Sequence, residues 1–375
     1  MAPNPSATLQ PHAADHAHVT GLRRRLIELA RADHRLPIGT DMVLHEQADP
    51  AAVMLDGKAL GRVMIEAADR YHTPIALSLM DLRLEKSDLL QRLGVADEQT
   101  DTFHFDQAPS DDQMAQAAAS DKAPFDPRGR AHLDAIRYVV RQGGERITCG
   151  MAIGPFSLAT KLMADPITAV ALAGMGMSAS DEPDVAMVER VLELACGQVH
   201  RSLAAQIEAG ADAVCVCEPA ANVTFLSPNM IAGGSDVFER FVMGPNEVVA
   251  RQLNDAGVGL IFHDCGELID DMVRQFAHRL HPVMLSLGSS RVMWHDAELV
   301  PDDVVLYGNL PSKRFYSDAD LPIDAVESMT RELAVKMKTT GKPFILGTEC
   351  DVLSVAGSHD MIAAKVDRML GCSCH

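Results

Sequence analysis

The sequence has no uninterrupted apolar run of the length a bilayer demands, so a membrane-spanning helix is not expected. Positive charge is scarce. Lys and Arg number 33 against 52 Asp and Glu, a formal net charge of −19. That balance excludes a broad nucleic-acid or anionic-membrane surface and suits small-molecule or protein partners. Between Met1 and Thr20 no basic stretch precedes an apolar one, so no secretory signal is expected there. Eight cysteines in 375 residues, unevenly spaced, do not form a disulfide framework and point to a reducing, cytoplasmic setting. No glycine-rich phosphate fingerprint follows any apolar run, which argues against a nucleotide-binding open sheet.

Short apolar runs alternating with helical periodicity are present in number. Strands are expected at Pro74–Met80, Arg146–Ile153, Ala213–Cys217, Val258–Phe262, Val283–Leu287, Val304–Tyr307 and Pro343–Leu346. These runs lack polar alternation, as parallel strands buried on both faces do. Helical patterns fall at Leu22–Arg31, Ala59–Ala68, Arg130–Arg141, Phe156–Met163, Asp184–Ala209, Leu268–Arg279, Ile323–Lys338 and His359–Leu370, with further helices starting near Asp236 and Asn246. The rhythm predicts an α/β fold, a single (β/α)8 barrel over residues 21–371 with an N-terminal helical extension, and an open doubly wound sheet as the alternative. The eighth strand is not evident, with Pro37–Leu44 as one option. Residues 1–20, with His12, His16 and His18, and residues 372–375 are expected to be tails. The polar, proline-punctuated stretch from Asp97 to Arg128 reads as a surface excursion or lid.

The strand ends carry the chemistry. Asp81, Glu218, His263 with Cys265, Ser286, Asn309 and Cys350 each follow or close an apolar run, the position where barrel enzymes collect functional groups. His263 and Cys265 lie two residues apart in Gly259-Leu-Ile-Phe-His-Asp-Cys-Gly266, and Cys350 follows 85 residues later. Imidazole and two thiolates suit Zn²⁺ rather than Mg²⁺ or Ca²⁺, and three protein ligands leave the fourth position open, as in catalytic zinc sites. For the fourth position Glu218 is preferred because it ends a neighbouring strand; Glu349 or water are the alternatives. Cys215, Cys217, Cys149 and Cys196 read as core. The loop Phe225–Gly234 is a candidate for substrate or partner contact.

From Leu22 to Leu370 the chain resembles the uroporphyrinogen decarboxylase superfamily, and within it the zinc-dependent, corrinoid-linked methyltransferases such as methylcobamide:coenzyme M methyltransferases. Met80-Asp81-Leu82 with Glu85, Gly154-Pro155-Phe156-Ser157, Gly210-Ala211-Asp212-Ala213, His263-x-Cys265-Gly266, Tyr307-Gly308-Asn309-Leu310 and Cys350-Asp351-Val352 carry the likeness. The resemblance implies His263, Cys265 and Cys350 as zinc ligands. It also implies methyl transfer between a corrinoid and a small substrate, either a thiol activated as its zinc thiolate or, in reverse, a methylated compound. Glu218, Asp81 and Asn309 are the accompanying catalytic candidates. No Asp-x-His-x-x-Gly corrinoid-binding segment is present, so the cobalamin is expected on a separate corrinoid-binding protein. The Arg-Gln-Ala-Gly-Arg type segment of tetrapyrrole decarboxylases is also missing. A decarboxylase and a non-catalytic zinc- or corrinoid-binding barrel remain the alternatives. An oligomer is compatible with the sequence. Asn309 is followed by Leu-Pro rather than Asp-Pro, and the strand end at Ser286 offers no Glu.

Overall fold

In the computed structural model, which describes residues 13–372, eight parallel strands alternate with helices. The strands are β1 (Arg35–Leu36), β2 (Ile75–Leu77), β3 (Ile147–Ile153), β4 (Ala213–Cys217), β5 (Gly259–Asp264), β6 (Met284–Leu287), β7 (Val305–Leu310) and β8 (Phe344–Thr348). From β2 to β8 every residue in them is buried, the consequence of apolar runs covered by helices outside and packed side chains inside. The sheet order is β1-β8-β7-β6-β5-β4-β3-β2, curling into a barrel with its ladder open at the β1–β2 seam. There the Thr40 hydroxyl donates to the Leu77 carbonyl at 2.8 Å and bridges the gap.

The eighth strand is Arg35–Leu36, immediately before the expected Pro37–Leu44. Pro37 has no N–H to give to a ladder, which ends the strand. Ile38 then sends its N–H to the Thr348 hydroxyl, and Thr40–Leu44 turns into a short helix.

The N-terminal helix α1 runs from Ala13 to Arg31, so helix begins earlier than Leu22 and residues 13–20 are not a tail; residues 1–12, His12 among them, lie outside the described residues. Leu22, Leu26 and Ala30 on α1 pack into the barrel interior with Leu36, Ile75, Ile261, Met284 and Ile345, plugging its N-terminal end. Arg23 fastens the plug by donating to the carbonyls of His281, Pro282 and Asp303. Burying a leucine fully contributes about 1.5–3 kcal/mol, so these contacts dominate the attachment of α1.

The helices that flank the barrel are α2 (Gly57–Arg70), α3 (Leu84–Arg92), α4 (Pro127–Gln142), α5 (Pro155–Lys161), α6 (Pro183–Ala209), α7 (Gly244–Asp255), α8 (Ile323–Thr340) and α9 (His359–Gly371). The Asp97–Arg128 excursion packs on the outer wall: Phe105 bonds the Leu162 carbonyl, and Arg190 of α6 reaches the Pro109 carbonyl and Asp111. Cys372 is buried at the C-terminal edge; residues 373–375 lie outside the described residues. No helix among the described residues is long and apolar enough to cross a membrane.

Candidate metal centre

Strand register decides which side chains meet inside the barrel. His263 on β5 is level with Cys217 on β4 and Ser286 on β6, so all three point to the same face. Cys265 follows β5, and Cys350 lies two residues beyond the end of β8. The ligand atoms of His263, Cys265 and Cys350 all lie within 4.8 Å of one another, and this is the one group of at least three His, Cys, Asp or Glu residues among the described ones that could hold a metal ion. The two thiol sulfurs are 3.9 Å apart.

His263 is 1% exposed. Its Nδ1 lies 2.7 Å from Ser286 Oγ, while Nε2 is buried with no hydrogen-bond partner. With Nδ1–H donating to Ser286, Nε2 presents its lone pair to the two sulfurs. A buried polar atom without a partner costs about 1–3 kcal/mol, a penalty that a bound cation would remove. The donor set is therefore one a borderline-soft cation fits.

The thiols are unequal. Cys350 donating to Cys265 holds the Cys265 thiol down at about 3 against the effect of burial, with His263 and Lys313 adding to the shift. The same contact, with burial, pushes Cys350 far up. Burial alone would lower His263, but the Cys265 thiolate raises it above the ordinary imidazole value. Lys313 follows β7 and brings its ammonium to Cys265; burial lowers its pKa, and the two sulfurs outweigh that and raise it.

The remaining expected site residues surround the trio without joining it. Glu218 ends β4 as expected, but its carboxylate is fully buried and bonded to the N–H groups of Phe156 and Ser157 at the start of α5 and to Asn246 Nδ2 of α7. A Cβ at Gly154 would come within 2.2 Å of Glu218 Oε2, so the glycine is what admits the carboxylate there. Glu218 is thus committed to two helix starts rather than to the trio, a correction to its expected place as fourth ligand. Glu349 accepts from both the N–H and the hydroxyl of Ser289. Asp81 is ion-paired to Arg83 and Arg128. Asn309 donates to the carbonyls of Gly288 and Arg291, each at 2.8 Å, holding the loop after β6. That loop presses on the site: a Cβ at Gly288 would stand 2.7 Å from the Cys265 carbonyl oxygen.

Three residues beside the trio were not among the expected site residues. Met80 sets its Sδ 3.9 Å from Cys350 Sγ. Lys313 arrives from a short turn after β7. Asp264, between His263 and Cys265, points outward into full burial, where desolvation pushes its carboxyl well above the usual range. Cys215 and Cys217 lie in the barrel core, Cys217 against Met151, and Cys149 is equally buried. Cys196 is only half-buried, on α6. The expected Phe225–Gly234 loop contains a short helix, Pro228–Ala232; Phe225 packs edge-on against Phe156 of α5 while Gly233 and Gly234 are exposed. A 500 Å³ cavity opens away from the trio, between α1, α8 and β8 at the plugged end.

Comparison with known proteins bears on the fold and the family. A methyltransferase from Methanosarcina mazei has a similar structure, with a TM-score of 0.61 at 14% identity over 90% of this chain and 91% of that one. At that identity the likeness concerns the fold alone. No curated protein sequence matches the chain. The sequence profile described as uroporphyrinogen decarboxylase (URO-D) matches residues 42–367, most of the barrel, and the chain belongs to that family.

Proposed function

We propose that this protein is a zinc-dependent methyltransferase that moves a methyl group between a corrinoid carried by a partner protein and a small thiol, or in reverse demethylates a small methylated compound. The observation that carries the reading is the convergence of His263, Cys265 and Cys350, with His263 Nε2 buried and otherwise unpartnered. A zinc ion held there would supply Lewis acidity that keeps a substrate thiol ionised near neutral pH. The protein's own groups do the rest. Ser286 orients the imidazole, the Cys265 thiol is held well below the ordinary thiol value, and Lys313 offsets the negative charge gathered at the sulfurs. Asn309 and the Asp81 ion pairs hold the loops that flank the opening.

The corrinoid is assigned to a partner that docks over the C-terminal ends of the strands, where the trio and the Phe225–Gly234 loop lie. Thiolate ligands need a reducing compartment, which makes the cytoplasm the natural location. Tetrapyrrole decarboxylation, the activity in the family's description, has no use for a soft three-ligand centre in the barrel mouth.

The test is elemental analysis of the purified protein beside a Cys265→Ser/Cys350→Ser variant, followed by thiol methylation from methylcobalamin. About one zinc per chain, lost in the variant while the fold survives, and zinc-dependent release of cob(I)alamin are expected. Protein purified without chelator and free of zinc would overturn the proposal.

A further inference from the structure

Three protein ligands leave a tetrahedral zinc one donor short, and the structure restricts what can supply it. No carboxylate among the described residues joins the His263–Cys265–Cys350 group. Glu218 is bonded to α5 and α7, Glu349 to Ser289, and Ser286 to His263. Asp264 is on the outward face of β5 and accepts from the Gly266 N–H. One soft donor stands beside one of the two sulfurs. Met80 Sδ is 3.9 Å from Cys350 Sγ, matching the 3.9 Å between Cys350 and Cys265. Zinc–sulfur bonds of about 2.3 Å in a tetrahedron place neighbouring sulfurs about 3.8 Å apart.

We propose that the Met80 thioether is the resting fourth ligand of the metal held by His263, Cys265 and Cys350, and that an incoming substrate thiol displaces it. This rests on the zinc reading above. Met80 is partly buried against the barrel interior, and the next residue fixes its backbone: Asp81 bonds the Leu79 carbonyl through its N–H and pairs with Arg83 and Arg128. The side chain itself is unbranched and flexible, able to swing aside without backbone movement.

Charge explains why a thioether suits the position. Two thiolates neutralise Zn²⁺, and a carboxylate in the fourth place would make the resting site anionic and resist an arriving anion. A neutral thioether leaves without that competition. In the exchange the bond from the metal to Met80 sulfur breaks, a bond to the substrate sulfur forms, and the thiol proton passes to solvent. Lys313, beside Cys265, faces the negative charge that the exchange adds. The substrate class that follows is a small thiol that binds as its thiolate.

Selenium makes the ligand visible. Zinc-edge EXAFS of the zinc-loaded selenomethionyl protein should show a selenium neighbour beside sulfur and imidazole shells. Met80→Leu should lose the selenium shell and keep the others. Saturating wild-type protein with 2-mercaptoethanol should replace selenium by a third sulfur. A wild-type spectrum with two sulfurs, imidazole and an oxygen, and no selenium, would overturn the assignment while leaving the zinc site intact. A protein that binds no zinc would overturn the metal reading itself, and this assignment with it.

Discussion

His263 and Ser286 are register partners on adjacent strands, and the imidazole Nδ1 stands 2.7 Å from the serine hydroxyl. The contact sets which ring nitrogen faces the two sulfurs. Groups that hold a ligating histidine in this way typically change metal affinity 10–100-fold when removed. Ser286→Ala is therefore expected to weaken zinc binding by about that factor, with little change in melting temperature. Competition against a chromophoric chelator measures it; unchanged affinity would remove Ser286 from the site.

Cys350 keeps Cys265 ionised in the metal-free protein, since its thiol is the largest influence pulling Cys265 down to about 3. Alkylation of Cys265 by iodoacetamide in the chelator-treated protein should be nearly independent of pH between about 5 and 8, where an ordinary thiol titrating at about 8.5 would react faster as pH rises. Cys350→Ala removes the donor, so the alkylation rate should then rise with pH across part of that range. Peptide mapping by mass spectrometry assigns the modified residue. A wild-type profile rising near the ordinary thiol value would show that Cys265 is not held as thiolate.

Much of the barrel was legible because its strands are buried on both faces and therefore written as plain apolar runs. The exception is β1, where two residues, Arg35 and Leu36, pair with Leu346 and Gly347 of β8. Its pairing partners lie more than three hundred residues away, and no local pattern marks them. The trio was legible because each member sits just past or at the end of such a run. Met80 was not, because its contact with Cys350 spans 270 residues of chain. Glu218 was placed at the correct strand end, yet its side chain follows the unpaired N–H groups at the start of α5. Amides at a helix N-terminus attract a buried carboxylate strongly, and nothing in the local sequence orders them against the metal.

Glu85 on α3 is 2% exposed, and burial pushes its carboxyl up to about 7, with the Ser202 hydroxyl opposing. Because the folded state favours the protonated acid, its contribution to stability is fully present below the unfolded value of about 4.3 and is lost as pH rises through about 7. The loss is of order 3 kcal/mol. Glu85→Gln should flatten the dependence of urea unfolding on pH across that window. A variant whose pH dependence parallels the wild type would place the titration elsewhere.

Gly288 and Asn309 act together on Cys265. Asn309 donates two bonds to the loop after β6, and Gly288 in that loop lies against the Cys265 backbone. A methyl group at Gly288 would stand 2.7 Å from the Cys265 carbonyl oxygen, closer than backbone can tolerate, so Gly288→Ala must displace the cysteine. Asn309→Ala leaves two carbonyls without their donor, at about 1–3 kcal/mol where they are buried. Both variants should weaken zinc binding, Gly288→Ala more than Asn309→Ala. Leu26→Ala at the opposite end of the barrel provides the control. It should cost about 2–5 kcal/mol of stability through the cavity it opens, with zinc affinity unchanged below its melting temperature. Equal loss of zinc in all three would mean that affinity follows global stability, and that the loop after β6 has no particular hold on Cys265.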